Sequence, residues 1–224
     1  MEELKNEKIM EEKNDFKPII IYYIVQFVIG FMAGFVTVSI YGEKGLEKID
    51  SLATIISFAS LGIIALLFVI IYRKRVISDI KRLTKKDVIT IIVASIGWCI
   101  LNLLISNIME SLNIVSNNQE LIKESLKTSK ILITIATVLF APLAEEFVFR
   151  YSFSTFIKNN IAFIIISSII FGAMHVTNIA IIIYILMGVV FSLVYIKTDK
   201  NIIASSIVHM INNLFGVISL FLII

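Results

Sequence analysis

Apolar and polar residues in this chain come in blocks. Seven apolar blocks, at roughly 18–42, 51–72, 88–109, 131–157, 161–176, 179–196 and 201–222, are separated by polar stretches. A helix needs about 20 apolar residues to cross a hydrocarbon core of about 30 Å. The pattern predicts an all-α, polytopic transmembrane bundle of about seven spans. The blocks 161–176 and 179–196 are short enough to be tilted or irregularly joined. The longest polar insert, ESLNIVSNNQELIKESLKTSK (Glu110–Lys130), holds a capping-box pair, Ser116 and Gln119, before an apolar stripe of Leu121, Ile122 and Leu126. That combination predicts an interfacial helix. GFMAG (Gly30–Gly34) fits a small-residue packing face and is assigned no function. Three regions are expected: a charged cytoplasmic tail over 1–17, N-terminal spans and polar loops over 18–130, and a C-terminal core over 131–224.

Composition strengthens the membrane reading. Of the 224 residues 58% are hydrophobic, whereas a soluble domain holds about 45–50%. The single cysteine, Cys99, excludes an internal disulfide. The first 17 residues are charged and lack a small-residue cleavage site, so the first span is expected to stay as an anchor. Ile, Lys and Asn are abundant, which suggests an AT-rich bacterial genome and places the chain in the cytoplasmic membrane. The bilayer is its surrounding, and no nucleic-acid partner is expected.

The distribution of charge says more than the net value of +3. With the N-terminus inside, fourteen Lys and Arg residues fall on cytoplasmic stretches, including seven between Arg73 and Lys86, against five on the outer loops. That asymmetry predicts a cytoplasmic N-terminus and an outer C-terminus. RKRVISDIKRLTKK (Arg73–Lys86) reads first as a cytoplasmic loop that fixes topology, and its charge also suits anionic head groups.

Against this background a few groups stand out. APLAEEFVFR places Glu145, Glu146 and Arg150 inside the block 131–157, where each ionised group costs at least about 2.5–3.5 kcal/mol. The only histidines, His175 in FGAMH and His209 in SIVHMINN, lie in later apolar blocks. Successive helical residues are about 100° apart, so Glu145 and Glu146 face different ways. Arg150 lies one turn after Glu146, the spacing at which the two can neutralise each other. Glu145 is left without a partner on its own helix. His209 and Asn213 share a face by the same i, i+4 rule, and in a bundle that face can meet Glu145 and His175.

Two chemistries suit a carboxylate, two imidazoles and an amide inside a membrane. Glu145, His175 and His209 make a three-ligand zinc set with a fourth position for water. Alternatively Glu145 and one histidine activate water directly, while the other histidine and Asn213 steady the oxyanion. Both point to attack of water on a carbonyl. Taken singly, a membrane Glu–Arg pair is often only interhelical glue, and a lone histidine often just bonds a backbone carbonyl.

In order, EEFVFR, FGAMH and HMINN resemble the Glu-Glu-x-x-x-Arg, Phe-x-x-x-His and His-x-x-x-Asn motifs of the CAAX protease and bacteriocin-processing family. These intramembrane endopeptidases include the type II CAAX prenyl proteases. The resemblance covers roughly Ile131 to Phe215. It implies Glu145 as the water-activating carboxylate with His175 beside it, His209 and Asn213 for the water or oxyanion, and Glu146 with Arg150 as a supporting pair. Zinc-type and glutamate-type mechanisms are both proposed in the family, so the resemblance leaves zinc open. Substrates implied are peptides or membrane proteins, as in bacteriocin maturation or self-immunity. Many members have glycine after the motif arginine; Tyr151 stands there, a larger group expected to narrow the groove or alter substrate choice. The competing reading is a non-catalytic regulator or scaffold of the same family, against which the complete motifs argue. A proton-relaying transporter is disfavoured, because broken helices do not recur in repeated positions. Pro142 instead suggests a loosened helix beside a hydrated cavity.

Overall fold

A computed structural model describes residues 14–42, 46–176 and 178–222. Tail residues 1–13 and Lys44 of the outer-loop count lie outside them. The described residues form helices α1 (Lys17–Tyr41), α2 (Leu46–Ile71), α3 (Arg73–Lys81), α4 (Lys85–Ser111) and α5 (Asn117–Thr128). They continue as α6 (Lys130–Phe156), α7 (Asn160–His175), α8 (Ile181–Lys197) and α9 (Ile202–Phe221). Each of the seven apolar blocks is a helix, and two polar stretches add α3 and α5. By length and composition α1, α4, α6 and α9 suffice to cross a membrane, and Ile55–Ile71 with α3 makes a fifth candidate bent by 80°. The chain is a multi-pass membrane protein. Helices α7 and α8, of 16 and 17 residues, reach only about 25 Å at 1.5 Å per residue.

The charged stretch 73–86 is no plain loop. Its helix α3 is docked on the turn between α8 and α9. Asp79, 3% exposed, accepts a hydrogen bond from the Ile202 backbone N–H at 2.8 Å and pairs with Arg82 at 3.0 Å. Arg75 and Arg82 donate to the carbonyls of Lys200 and Asp199. The first N–H groups of a helix have no intrahelical partner, so Asp79 satisfies α9 from outside, alongside the Asn201 cap. Thr84 and Asp87 then form a reciprocal capping box that starts α4.

Chain direction gives the bundle two ends. At one end the start of α1 meets the end of α6. Asp15 accepts from Tyr72 and Tyr151 and takes the Ser152 hydroxyl on its carbonyl, while Phe16 stacks on Phe156. The basic helix α3 lies at this same end. At the other, α5 covers the α7–α8 turn: Asn178 donates to the Val115 carbonyl at 2.6 Å, and Ser116 meets the Tyr184 hydroxyl. The predicted helix in this insert is present, and Ser116 accepts from Gln119 N–H as its N-cap. Its apolar stripe divides, with Leu126 fully buried and Leu121 half exposed.

Close helix contact occurs between α7 and α8, not at Gly30 and Gly34. A Cβ added at either of those two would meet nothing within 4 Å, whereas one at Gly188 would lie 2.9 Å from the Ser168 Cα. One buried hydrophobic cluster runs from Ile64 and Phe68 through Trp98 and Phe147 to Val208.

Candidate active site

Helix α6 is not uniform. A π-turn over Ala136–Phe140 precedes the α-helical turn Ala141–Glu146, and a second π-turn spans Phe147–Ser152. Proline has no N–H and its ring crowds the carbonyl one turn earlier. Pro142 therefore cannot bond the carbonyls of Val138 or Thr137, the partners of an α- or a π-pattern. The Thr137 carbonyl accepts instead from Asn213 Nδ2, at 2.9 Å. The helix break thus ties α6 to α9, close to the two glutamates.

Glu146 and Arg150 meet as their spacing predicts, with Nε–Oε2 at 3.2 Å and both side chains fully buried. The guanidinium carbon lies 5.1 Å from the Phe171 ring centre and 5.7 Å from that of Phe191. Among the described residues its Nη1 and Nη2 have no hydrogen-bond partner, so aromatic faces and the carboxylate carry the charge.

Glu146 has a second partner that sequence spacing did not reveal. His209 Nδ1 lies 3.2 Å from Glu146 Oε1, and the His209 ring stacks on Phe191 at 4.3 Å. His175 Nδ1 lies 2.7 Å from the Phe171 carbonyl oxygen, and its ring stacks on Tyr184. Both partners are acceptors, which assigns the proton of each neutral imidazole to Nδ1. Each Nε2 is left with a free lone pair. Both Nε2 atoms face Glu145 Oε2, His175 at 3.4 Å and His209 at 3.7 Å. That oxygen is buried with no hydrogen-bond partner.

The four residues singled out from the sequence line one cavity of about 250 Å³. Glu145, His175 and His209 converge. Asn213 lines the same space but reaches Thr137 rather than the glutamate, and accepts from Asn212 at 2.9 Å. Asn212, which sequence reading passed over, also takes the Trp98 indole N–H at 2.6 Å. Tyr151 does not line the cavity. It packs edge-on to Tyr72 and donates to Asp15, so the expected narrowing of the groove is not found.

Zinc can be tested on this donor set. The Nδ1 partners orient both imidazoles as second-shell groups do at metal sites, and Oε2 is an orphaned acceptor between them. Yet among the described residues no group of three or more His, Cys, Asp or Glu side chains is arranged to hold a metal ion. The residue types suit zinc, and every step below is derived from the chain's own side chains alone.

The chain is 30% identical over 159 residues to an uncharacterized protein of Mycoplasma capricolum subsp. capricolum. The alignment covers 63% of this chain and 47% of the relative, so the chain spans about half of that relative's length. No solved structure matches. Residues 127–215 match the family described as type II CAAX prenyl endopeptidase Rce1-like, a segment that contains all three of the motifs that resemble the CAAX protease and bacteriocin-processing family.

Proposed function

We propose that the chain is an intramembrane endopeptidase whose Glu145 activates water for attack on a peptide carbonyl. The observation that carries this is the convergence of three acceptors, Glu145 Oε2 and the Nε2 atoms of His175 and His209, at a buried point that opens into a cavity. Three acceptors with no donor among them suit a water molecule, which brings two hydrogens. Water donates to Glu145 and to His175, the nearer and more exposed imidazole.

As the water oxygen bonds to the carbonyl carbon, its O–H bond breaks and the proton passes to Glu145. The protonated carboxyl then donates to His209 Nε2, an acceptor held in that tautomer by Glu146. Asn213 spends one N–H on Thr137 and keeps the other for the oxyanion. When the tetrahedral intermediate collapses, the C–N bond breaks and Glu145 returns its proton to the leaving amine.

In this reading the core 131–224 supplies the chemistry, and residues 18–130 complete the bundle around it. Helices α7 and α8 are short spans that bring the count to seven, the cavity lies inside the bundle, and the N-terminus is cytoplasmic. The substrate is a peptide or membrane-associated protein. The test compares new peptide termini in cells carrying wild-type protein and Glu145→Gln at equal membrane levels. The amide cannot take the proton, so wild-type-only termini should fall by about 10²–10⁴-fold in rate of appearance, the usual worth of a general base. Full activity of Glu145→Gln on a verified substrate would sink the mechanism.

A further inference from the structure

The cavity has a lining unlike the rest of this apolar bundle. Asn102 of α4, Asn118 and Gln119 of α5, and Asn212 and Asn213 of α9 all border it, no Lys or Arg is among its lining residues, and Glu145 is its carboxylate. A carboxamide offers two N–H donors and an acceptor, the same groups a peptide bond needs. An extended peptide drawn into an apolar site must have its N–H and C=O groups satisfied there. A carboxy-terminal carboxylate would instead meet Glu145 with no cation to offset it.

The cavity is also lopsided. Its lining residues reach from mid-bundle at Glu145 and His209 to Asn118, Gln119 and Leu220 at the α5 end. Residues of α3, of the 157–159 turn and of the 198–201 turn do not line it. Those stretches form the opposite end and carry Arg73, Lys74, Arg75, Lys81, Lys158 and Lys200. The short hairpin α7–α8 helps to shape this: both helices stop early at the α5 end, which leaves His175 and Tyr184 recessed beneath α5. Excess Lys and Arg mark the cytoplasmic side, so the cavity extends toward the other side.

We propose that the site takes an internal, uncharged stretch of extended peptide delivered from the extracytoplasmic face, with the carboxamides of Asn102, Asn118 and Gln119 reading its backbone. The reaction performed on that peptide rests on the peptidase reading above; the side and the binding chemistry do not.

The experiment uses full-length protein with Cys99→Ser and one new cysteine. Glu120→Cys on the exposed face of α5 and Ser78→Cys on α3 report the two ends in intact cells treated with a membrane-impermeant maleimide. Glu120→Cys should label many-fold faster than Ser78→Cys until the cells are permeabilised, and then both should label; the reverse order would overturn the assignment of side. Purified Ile122→Cys protein, labelled inside the cavity, then reports binding. A neutral alanine–valine–serine peptide capped at both ends should slow its labelling several-fold, and the same peptide with a free carboxylate should slow it less. Equal or better protection by the free acid, or none by the capped peptide, would overturn the substrate class. Labelling needs no turnover, so intact labelling and protection beside an inactive wild type would fell the peptidase reading alone.

Discussion

At the scale of single residues, Glu146 is asked to do two things. It neutralises Arg150 and it holds the His209 tautomer. These roles separate under substitution. Arg150→Ala strands a fully buried carboxylate, which costs about 3–5 kcal/mol, and membrane accumulation and thermal stability should fall together. Replacing the pair by Glu146→Leu with Arg150→Leu removes both charges, and buried pairs exchanged for apolar groups are often neutral in stability. The double variant should therefore accumulate better than Arg150→Ala yet cleave slowly, because His209 Nδ1 has lost its acceptor. A double variant as active as wild type would reduce Glu146 to a counter-ion. The sequence allowed half of this to be read. Ionisable groups in apolar runs are conspicuous, and i, i+4 spacing pairs Glu146 with Arg150. The contact of Glu146 with His209 spans 63 positions and has no local signature.

At the scale of elements, what was legible and what was not divide along the same line. Apolar runs locate helices, so all seven blocks appear, and Pro142 announces the irregular turn beside the site. Charge runs hide structure, because one more charged residue in RKRVISDIKRLTKK draws no notice. Asp79 is the case in point. It sits in a stretch that topology rules treat as loop, yet it is buried and caps the helix that carries His209. It stands at the start of α9, where the first N–H groups have no intrahelical partner and the helix dipole is positive. Asp79→Ala leaves the Ile202 N–H buried without an acceptor, at about 1–3 kcal/mol, and should lower the unfolding midpoint of the detergent-purified protein. Asp79→Asn keeps an acceptor oxygen and loses only the pairing with partly exposed arginines, which is worth little. Its midpoint should stay nearer to wild type. Equal losses in the two variants would assign the stabilisation to the ion pairs and remove the cap from the account of how α9 is placed.

At the scale of the molecule, the matched segment 127–215 holds every proposed catalytic group, which invites treating it as a module. The packing argues otherwise. Trp98 of α4 anchors Asn212, α3 clamps the start of α9, and Asp15 is tied to the end of α6. Phe68 and Tyr72 stack around Phe147, directly after the glutamates. Without residues 14–126 these surfaces face lipid or each other, and the polar ones lose their partners. Residues 127–224 expressed alone should fail to accumulate. Membrane helices can associate after separate insertion, so a chain divided between Leu112 and Asn113 offers the contrasting case. Its two halves, co-expressed, should assemble and recover cleavage, since the break removes no contact that places Glu145, His175, His209 or Asn213. Accumulation and activity of 127–224 by itself would show that the remaining helices serve substrate or partners rather than the site. Failure of the co-expressed halves, with each half present in the membrane, would mean that α5 must be covalently joined to α4 to settle over the cavity.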